Sequence, residues 1–356
     1  MNLKDALTIS SVKMHTDRFL GDGILQKRRF NSIKGFCFVF LIFIKLTCVS
    51  SQSHFQNFFI PSDSFQSKRA WLAGGFATVS YSAFSIGLYN AWYSNQGLGK
   101  FHEFNDYGEW LHVDKAAHVF NSYFQSEWGY RGAKWCGYRE GSSIIWGVSM
   151  AMLFQSTIEV MDGYSKDYGF SWPDMAANVI GIGLFTSQQL IWKEQKFRIK
   201  ISPWPKNYSN HSPNELGDPG YSFKDRAKEL YGSGFLNSAL KDYNAQTFWL
   251  SFSPERLVNR QWKTWPDWLN VAFGFGADGL FGGYINRWVR QNIIYNAEWI
   301  PRVNEYYLSF DIDLSKIKTR NRFIKTLCTV FNIIKIPAPA LSLNSAGKWK
   351  GHWVFF

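Results

Sequence analysis

The chain has 356 residues, enough for one large domain or two modest ones, so core size is not limiting. Its 17 Trp, 17 Tyr and 32 Phe suit membrane interfaces and large apolar grooves, while only four cysteines exclude a fold stapled by disulfides. The formal net charge of +12 calls for an anionic partner, and because Lys and Arg cluster at segment ends instead of interleaving with aromatics along one face, membrane lipid fits it and nucleic acid does not.

Residues 1–51 read as an upstream extension plus a secretory signal. Lys27, Arg28, Arg29 and Lys34 form the basic start, 36–44 the apolar run, and Val49, Ser50 and Ser51 the small-residue exit. That run is too short to span a bilayer, and Lys45 interrupts it. The first 26 residues have no place in such a signal, which points to a start at Met14. Cys48 stands in a poor lipobox, with Lys45 three residues before it. Cleavage after Ser51 removes eight Lys/Arg and three Asp/Glu, leaving +7, and keeps only Cys136 and Cys328.

Residues 71–93 carry no charge over 23 positions, about 34 Å of helix, but Thr78, Ser80, Ser82 and Ser85 dilute them. Gly74, Thr78 and Ser82 make a small-residue stripe suited to packing on another helix. A second helix is predicted over 114–128, ending before the Gly-rich connection 129–141. In a third, over 142–161, Ser143, Gly147, Ala151, Gln155 and Glu159 recur every fourth residue as a packing seam. Ser171, Pro173 and Asp174 open a fourth helix that runs to Trp192 and is followed by Lys193, Lys196, Arg198 and Lys200, a cluster of headgroup-level character.

Residues 201–240 read as a linker or long loop, and 241–356 as a mixed region. Strands are predicted over 243–252 and 306–314. Between them, Gly274, Gly276 and Gly279 match G-x-G-x-x-G without a strand-turn-helix context, so no nucleotide is expected and close helix packing or a tight turn explains them. Residues 317–334 alternate apolar and basic positions as an amphipathic, surface-binding helix would. The fold expected is mainly α: a membrane-associated four-helix core within 52–200 and a smaller mixed α/β C-terminal region.

The candidate site comes from three polar sets at helical spacing: Asp114-x-x-x-His118, Gln155-x-x-x-Glu159-x-x-Asp162 and Asp174-x-x-x-Asn178. Such groups in apolar helices are costly unless paired, neutralised or bound to a cation. The plainer expectation is a hydrogen-bonded network that locks the helices of a structural or accessory envelope protein, whose partners would be membrane lipid or an envelope protein. The alternative is a divalent metal such as Zn, Mn or Fe on His118, Glu159 and Asp174, with Asp162 as general base and Asp114, Gln155 and Asn178 behind them, hydrolysing a lipid or cell-wall substrate. A lipid-binding module is the third reading. No certain cofactor follows.

The segment 114–184 resembles a known family through Asp114-Lys115-x-x-His118, Glu159 with Asp162-Gly163, and Ser171-x-x-Asp174-x-x-x-Asn178-x-x-Gly181. It is similar to the bacterial envelope family domain of unknown function 2279, YfiM-like predicted periplasmic lipoproteins, in the longer form of Bacteroidota. The order of the motifs also resembles VanZ-like membrane proteins. The resemblance implies an exported, envelope location and a helical core, and it implies no reaction.

Overall fold

Four long helices form along stretches rich in apolar and small residues with few charges in their interiors: α1 (Ser67–Leu88), α2 (Val113–Trp135), α3 (Glu140–Tyr164) and α4 (Trp172–Trp192). The computed structural model describes residues 53–94, 97–214, 220–258 and 265–356. The chain divides into two units, Met1–Gln56 and Asn57–Phe356, and the helices belong to the second. The expected signal at 27–51, Cys48 and the start at Met14 lie outside the described residues.

Small residues set the helix spacing. On α3 the stripe Ser143, Gly147, Ala151, Gln155 and Glu159 is buried throughout, against α2. A Cβ on Gly147 would run into the Ser126 carbonyl, and one on Gly181 of α4 into Ser122 and the Val119 carbonyl, so α2 is gripped closely from both sides. This contact also explains why α2 continues past its predicted end at 128. Gly129 lies so near α3 that a Cβ there would sit 2.9 Å from the Gly147 Cα. The start of α4 is as predicted, with the Ser171 hydroxyl accepting from Asp174 N at 3.0 Å and proline in the first turn.

The second layer corrects the expected fold class. Instead of a mainly α protein built on a four-helix membrane core, a large antiparallel sheet stands beside the helices. Its strands β1 (Phe197–Pro203), β2 (Gln246–Phe252), β3 (Leu269–Asp278), β6 (Val303–Ile312), β7 (Ala338–Asn344) and β8 (Trp349–Phe355) pair in the order β1-β2-β3-β6-β7-β8, while β4 (Arg287–Arg290) and β5 (Ile293–Asn296) form a separate hairpin. Two signals were misread. Lys196, Arg198 and Lys200 look like the charged flank of a helix, yet they alternate with Phe197, Ile199 and Ile201 at the period of a strand. The glycines near residue 275 lie inside β3, where Gly274 leaves room for the Trp249 ring: a Cβ there would be 2.8 Å from it. Gly279, at φ 77°, makes the turn that follows.

Helix and sheet meet along α2. Phe120 of α2 packs on Phe248 of β2, ring centroids 5.7 Å apart, in a core with Val113, Ala277 and Leu280. The helix Arg322–Val330 and the 3₁₀ turn Phe331–Ile333 occupy part of the expected amphipathic segment 317–334. Among the described residues, α3 is the helix long and apolar enough to cross a membrane, yet its seam is buried protein.

Gly181→Ala and Gly147→Ala are each expected to lower stability by about 1–3 kcal/mol through helix separation. Gly183→Ala, whose Cβ meets open space, should gain up to about 1 kcal/mol. Urea unfolding of the three variants checks the contrast.

Candidate functional site: a lysine among carboxylates

The chain enters α2 through a turn in which three consecutive residues, Trp110, Leu111 and His112, have left-handed backbones with φ of 50°, 51° and 66°. Such conformations persist only where surrounding structure over-determines them. Here Trp110 N donates to Gly283 O at 2.8 Å, Asn304 Nδ2 donates to Leu111 O at 2.9 Å, and His112 Nδ1 lies 2.6 Å from Tyr107 O. The turn brings Asp106, in the preceding loop, back beside the first turn of α2.

Lys115 is the centre of what results. Its ammonium lies 2.8 Å from Asp106 Oδ2, 2.9 Å from Asp114 Oδ2 and 2.6 Å from Asp174 Oδ1. One turn further along α2, His118 Nδ1 is 3.1 Å from Asn178 Oδ1 and 3.7 Å from Glu159 Oε1, and its Nε2 is 3.7 Å from Asp174 Oδ1 and 3.9 Å from Asp114 Oδ1. Outer hydrogen bonds fix the acids. Tyr243, just before β2, donates to Asp114 Oδ1 at 2.7 Å, Ser171 Oγ donates to Asp106 Oδ1 at 2.5 Å, and Ser171 N donates to Glu159 Oε2 at 3.2 Å.

The structure thus brings together Asp114, His118, Glu159, Asp174 and Asn178. It sets two predicted residues apart in their contacts: Gln155 donates to Gln125 Oε1 at 2.9 Å, and Asp162 accepts from the Tyr93 hydroxyl at 2.6 Å. Sequence reasoning gave no role to Asp106, Lys115, Tyr93 or Tyr243. Asp106 and Tyr243 lie outside any helical period, while Lys115 stood in plain view in the D-K-x-x-H motif, and its position next to Asp114 was the signal that could have found it.

Charge balance decides the protonation. Burial resists charging His118, but Asp174, Asp114 and Glu159 outweigh it and raise the imidazole to about 9. Burial, reinforced by Asp114, raises Asp174 to about 9, and burial raises Glu159 to about 7 and Asp162 to about 8. Burial opposes the ionisation of Asp114 and Asp106 too, yet their partners hold both below the ordinary carboxylate range: His118 and Lys115 for Asp114, and Asp174, Lys115 and Ser171 for Asp106. The arrangement that satisfies these directions has Lys115 and His118 positive, Asp106 and Asp114 negative, and a proton on Asp174 shared toward Asp106. Those five groups balance to neutrality, and Glu159, raised to about 7, joins them uncharged below neutral pH, which limits the desolvation cost of the cluster.

The cluster could also hold a cation. Ligand atoms of Asp114, His118 and Asp174 lie within 4.8 Å of one another, and Glu159 Oε1 is buried without a hydrogen-bond partner. These donors, one nitrogen and several carboxylate oxygens, match Zn, Mn or Fe. Lys115 is the obstacle, since its ammonium already fills the space between Asp114 and Asp174.

The fold is a layer of long helices beside an antiparallel sheet, and its helical part carries a buried lysine–carboxylate cluster; the exported, envelope-associated location comes from the family that this part matches. Residues 102–188 match the model of the family DUF2279, described as a predicted periplasmic lipoprotein. Comparison with curated proteins and with solved structures gives no match. The matched stretch contains Asp106 and all the converging acids, His118 and Lys115, whereas the sheet lies beyond it.

Two outcomes follow. Groups whose folded pKa is raised bind protons on folding: Asp174 and Asp162 between about pH 4 and about 8–9, His118 between about 6.5 and 9. All three contribute stability at the acid side of their windows and lose it as pH rises, so the thermal midpoint should fall from about pH 5 to about pH 9. Asp162→Asn, which keeps an acceptor for Tyr93, should flatten that fall between about pH 4 and about 8 in a calorimetric pH series. Lys115→Met leaves three carboxylates facing one another and should cost about 3–5 kcal/mol in denaturant titration.

Proposed function

We propose that the protein is a structural or accessory component of the cell envelope at a membrane, in which the cluster around Lys115 locks α2, α3, α4 and the segment before β2 into one arrangement. The observation that carries this reading is the ammonium of Lys115 within 2.6–2.9 Å of three carboxylates. A site that supplies its own cation is neutral without a cofactor, and a lysine so held has no free pair of electrons to act as a base. Membrane association draws support from the envelope family and from apolar side chains on the outer surfaces of the helices, among them Trp71, Phe76, Ile145, Ile180 and Ile191, each more than 60% exposed.

The second reading, a metal-dependent hydrolase acting on a lipid or cell-wall substrate, is favoured by the spacing of Asp114, His118 and Asp174 and by the unpartnered Glu159 oxygen. A bound metal would there polarise a substrate carbonyl or phosphoryl oxygen or activate water, and the Lys115 side chain would have to swing away.

Elemental analysis of the full chain purified from metal-replete cells separates the two. The structural reading expects less than stoichiometric metal in both the parent and His118→Ala, with a lowered thermal midpoint in the variant. Stoichiometric Zn, Mn or Fe in the parent, lost in His118→Ala, would establish the hydrolase reading instead.

A further inference from the structure

The six-stranded sheet is built inside out for a protein in water. Antiparallel sheets ordinarily turn their apolar face to the core and their polar face to solvent. In this sheet the enclosed face carries charges and hydrogen-bonding groups beside a small aromatic cluster of Trp249, Tyr307 and Phe355: Lys200 and Asp311 form an ion pair at 2.7 Å with both side chains fully buried, Ser251 Oγ donates to Asp311 Oδ2 at 2.6 Å, Asn270 Nδ2 donates to Ser251 Oγ at 3.0 Å, and Trp249 Nε1 donates to Ser202 Oγ at 3.0 Å.

The sheet curls around these groups. Trp249 of β2 reaches Phe355 of β8, ring centroids 5.8 Å apart, although three strands separate them in the hydrogen-bonded order. The two edges are drawn toward each other: Trp204, just after β1, stacks on Phe356, just after β8, at 4.4 Å, and Lys335 N donates to Ile201 O at 2.9 Å along the free edge of β1. Ile201 is level with Trp349 across the register, so the meeting of Trp204 with Phe356 carries the stagger that sheet closure requires.

The opposite face is apolar along every strand. In register it reads Ile199, Leu250, Phe273, Leu308 and Leu341, then Phe197, Phe252, Val271 and Phe310 on the neighbouring row. Helix α2 covers only the part formed by β1, β2 and the end of β3. Phe273, Tyr306, Leu308, Phe310 and Leu341 remain 45–51% exposed, and Trp353 93%.

We propose that this uncovered outer face of the sheet is seated in the hydrocarbon of a lipid bilayer. Polar inside and apolar outside is the alternation of a sheet whose surrounding solvent is lipid. The ten residues of β3 and of β6 have the length that a bilayer core demands of a strand. Charge at one end completes the match to anionic headgroups. Where β1 begins and β6 ends, Lys193, Lys196, Lys316, Lys318, Arg320 and Arg322 outnumber the acids Glu194, Glu255 and Asp267. A cavity of about 270 Å³ opens there, lined by Arg131, Lys193, Arg198, Lys316 and Lys325 with Glu127 and Glu194.

The proposal deepens the membrane reading above and rests on it. Its test uses the full chain with native cysteines replaced by serine and nitroxide labels on Phe273→Cys, Leu308→Cys or Leu341→Cys, with Lys348→Cys in the β7–β8 turn as the water reference. Far-UV circular dichroism confirms that each variant folds. The proteins are incubated with vesicles of phosphatidylethanolamine and phosphatidylglycerol, floated on a density gradient, and examined by power saturation with oxygen and with a water-soluble nickel chelate. Oxygen relaxing the three sheet labels more than the chelate, with the reverse at Lys348→Cys, is the expected result. Flotation with the chelate dominant at the sheet labels overturns this inference and leaves membrane association standing. Flotation with neither relaxer effective means that a second copy or another protein covers the face, which also overturns it. Failure to float overturns both readings.

Discussion

A primary ammonium held by three carboxylates from separate parts of the chain is the constraint on which the helical part depends. Asp106 comes from a loop, Asp114 from the first turn of α2 and Asp174 from the first turn of α4. None of these acids could be buried alone, and Lys115 could not be buried without them, so the loop, α2 and α4 are fixed together or not at all. The left-handed turn at residues 110–112 lies between Asp106 and Lys115, so it belongs to the path that returns the loop to the start of α2. The same constraint extends to the second layer through the Tyr243 hydroxyl on Asp114.

Helix α2 carries this order from one end of the molecule to the other. Its N-terminal end holds the lysine cluster, and its C-terminal end holds a second buried ionic set. There Glu127 accepts from Arg131 at 2.6 Å and Arg198 at 3.1 Å, and Arg198 Nε reaches Asp313 Oδ2 at 3.4 Å. Between them lie the small residues that let α3 and α4 approach and the Phe120 side that meets the sheet. Buried ion pairs offset their desolvation cost only in part, and their value here is that they fix position. Each end of α2 joins a helix to a strand or to its approach, Tyr243 at one end and Arg198 of β1 at the other.

The two layers solve the same problem by similar means. Both enclose charged and hydrogen-bonding groups beside their apolar core and expose many large aromatic and aliphatic side chains on their outer faces. Lys200 with Asp311 is to the curled sheet what Lys115 with its carboxylates is to the helices. An interior of paired charges beneath an apolar exterior is economical where the outer medium cannot solvate polar groups. That economy agrees with the envelope family matched over residues 102–188.

By itself the sequence determined the long helices, the seam on α3, the cap at Ser171 and the helical spacing that sets Asp114 with His118, and Asp174 with Asn178, on one face of their helices. These rest on local periods and capping chemistry, which act within a few residues and can be read off a single chain. Only the tertiary structure decided, through the packing of the helices, that these faces meet, that residues 197–203 are a strand, that Gly274 serves the Trp249 ring, that Asp106 and Tyr243 complete the cluster, and that Lys115 stands at its centre. Each of those depends on a partner distant along the chain, Asp106 to Asp174 or Lys200 to Asp311, and a pairing between segments leaves no mark on the spacing within either one. The sheet shows this most plainly: its alternation was present in Lys196, Phe197, Arg198, Ile199 and Lys200, but which face would be enclosed was settled only when the strands curled around their charges.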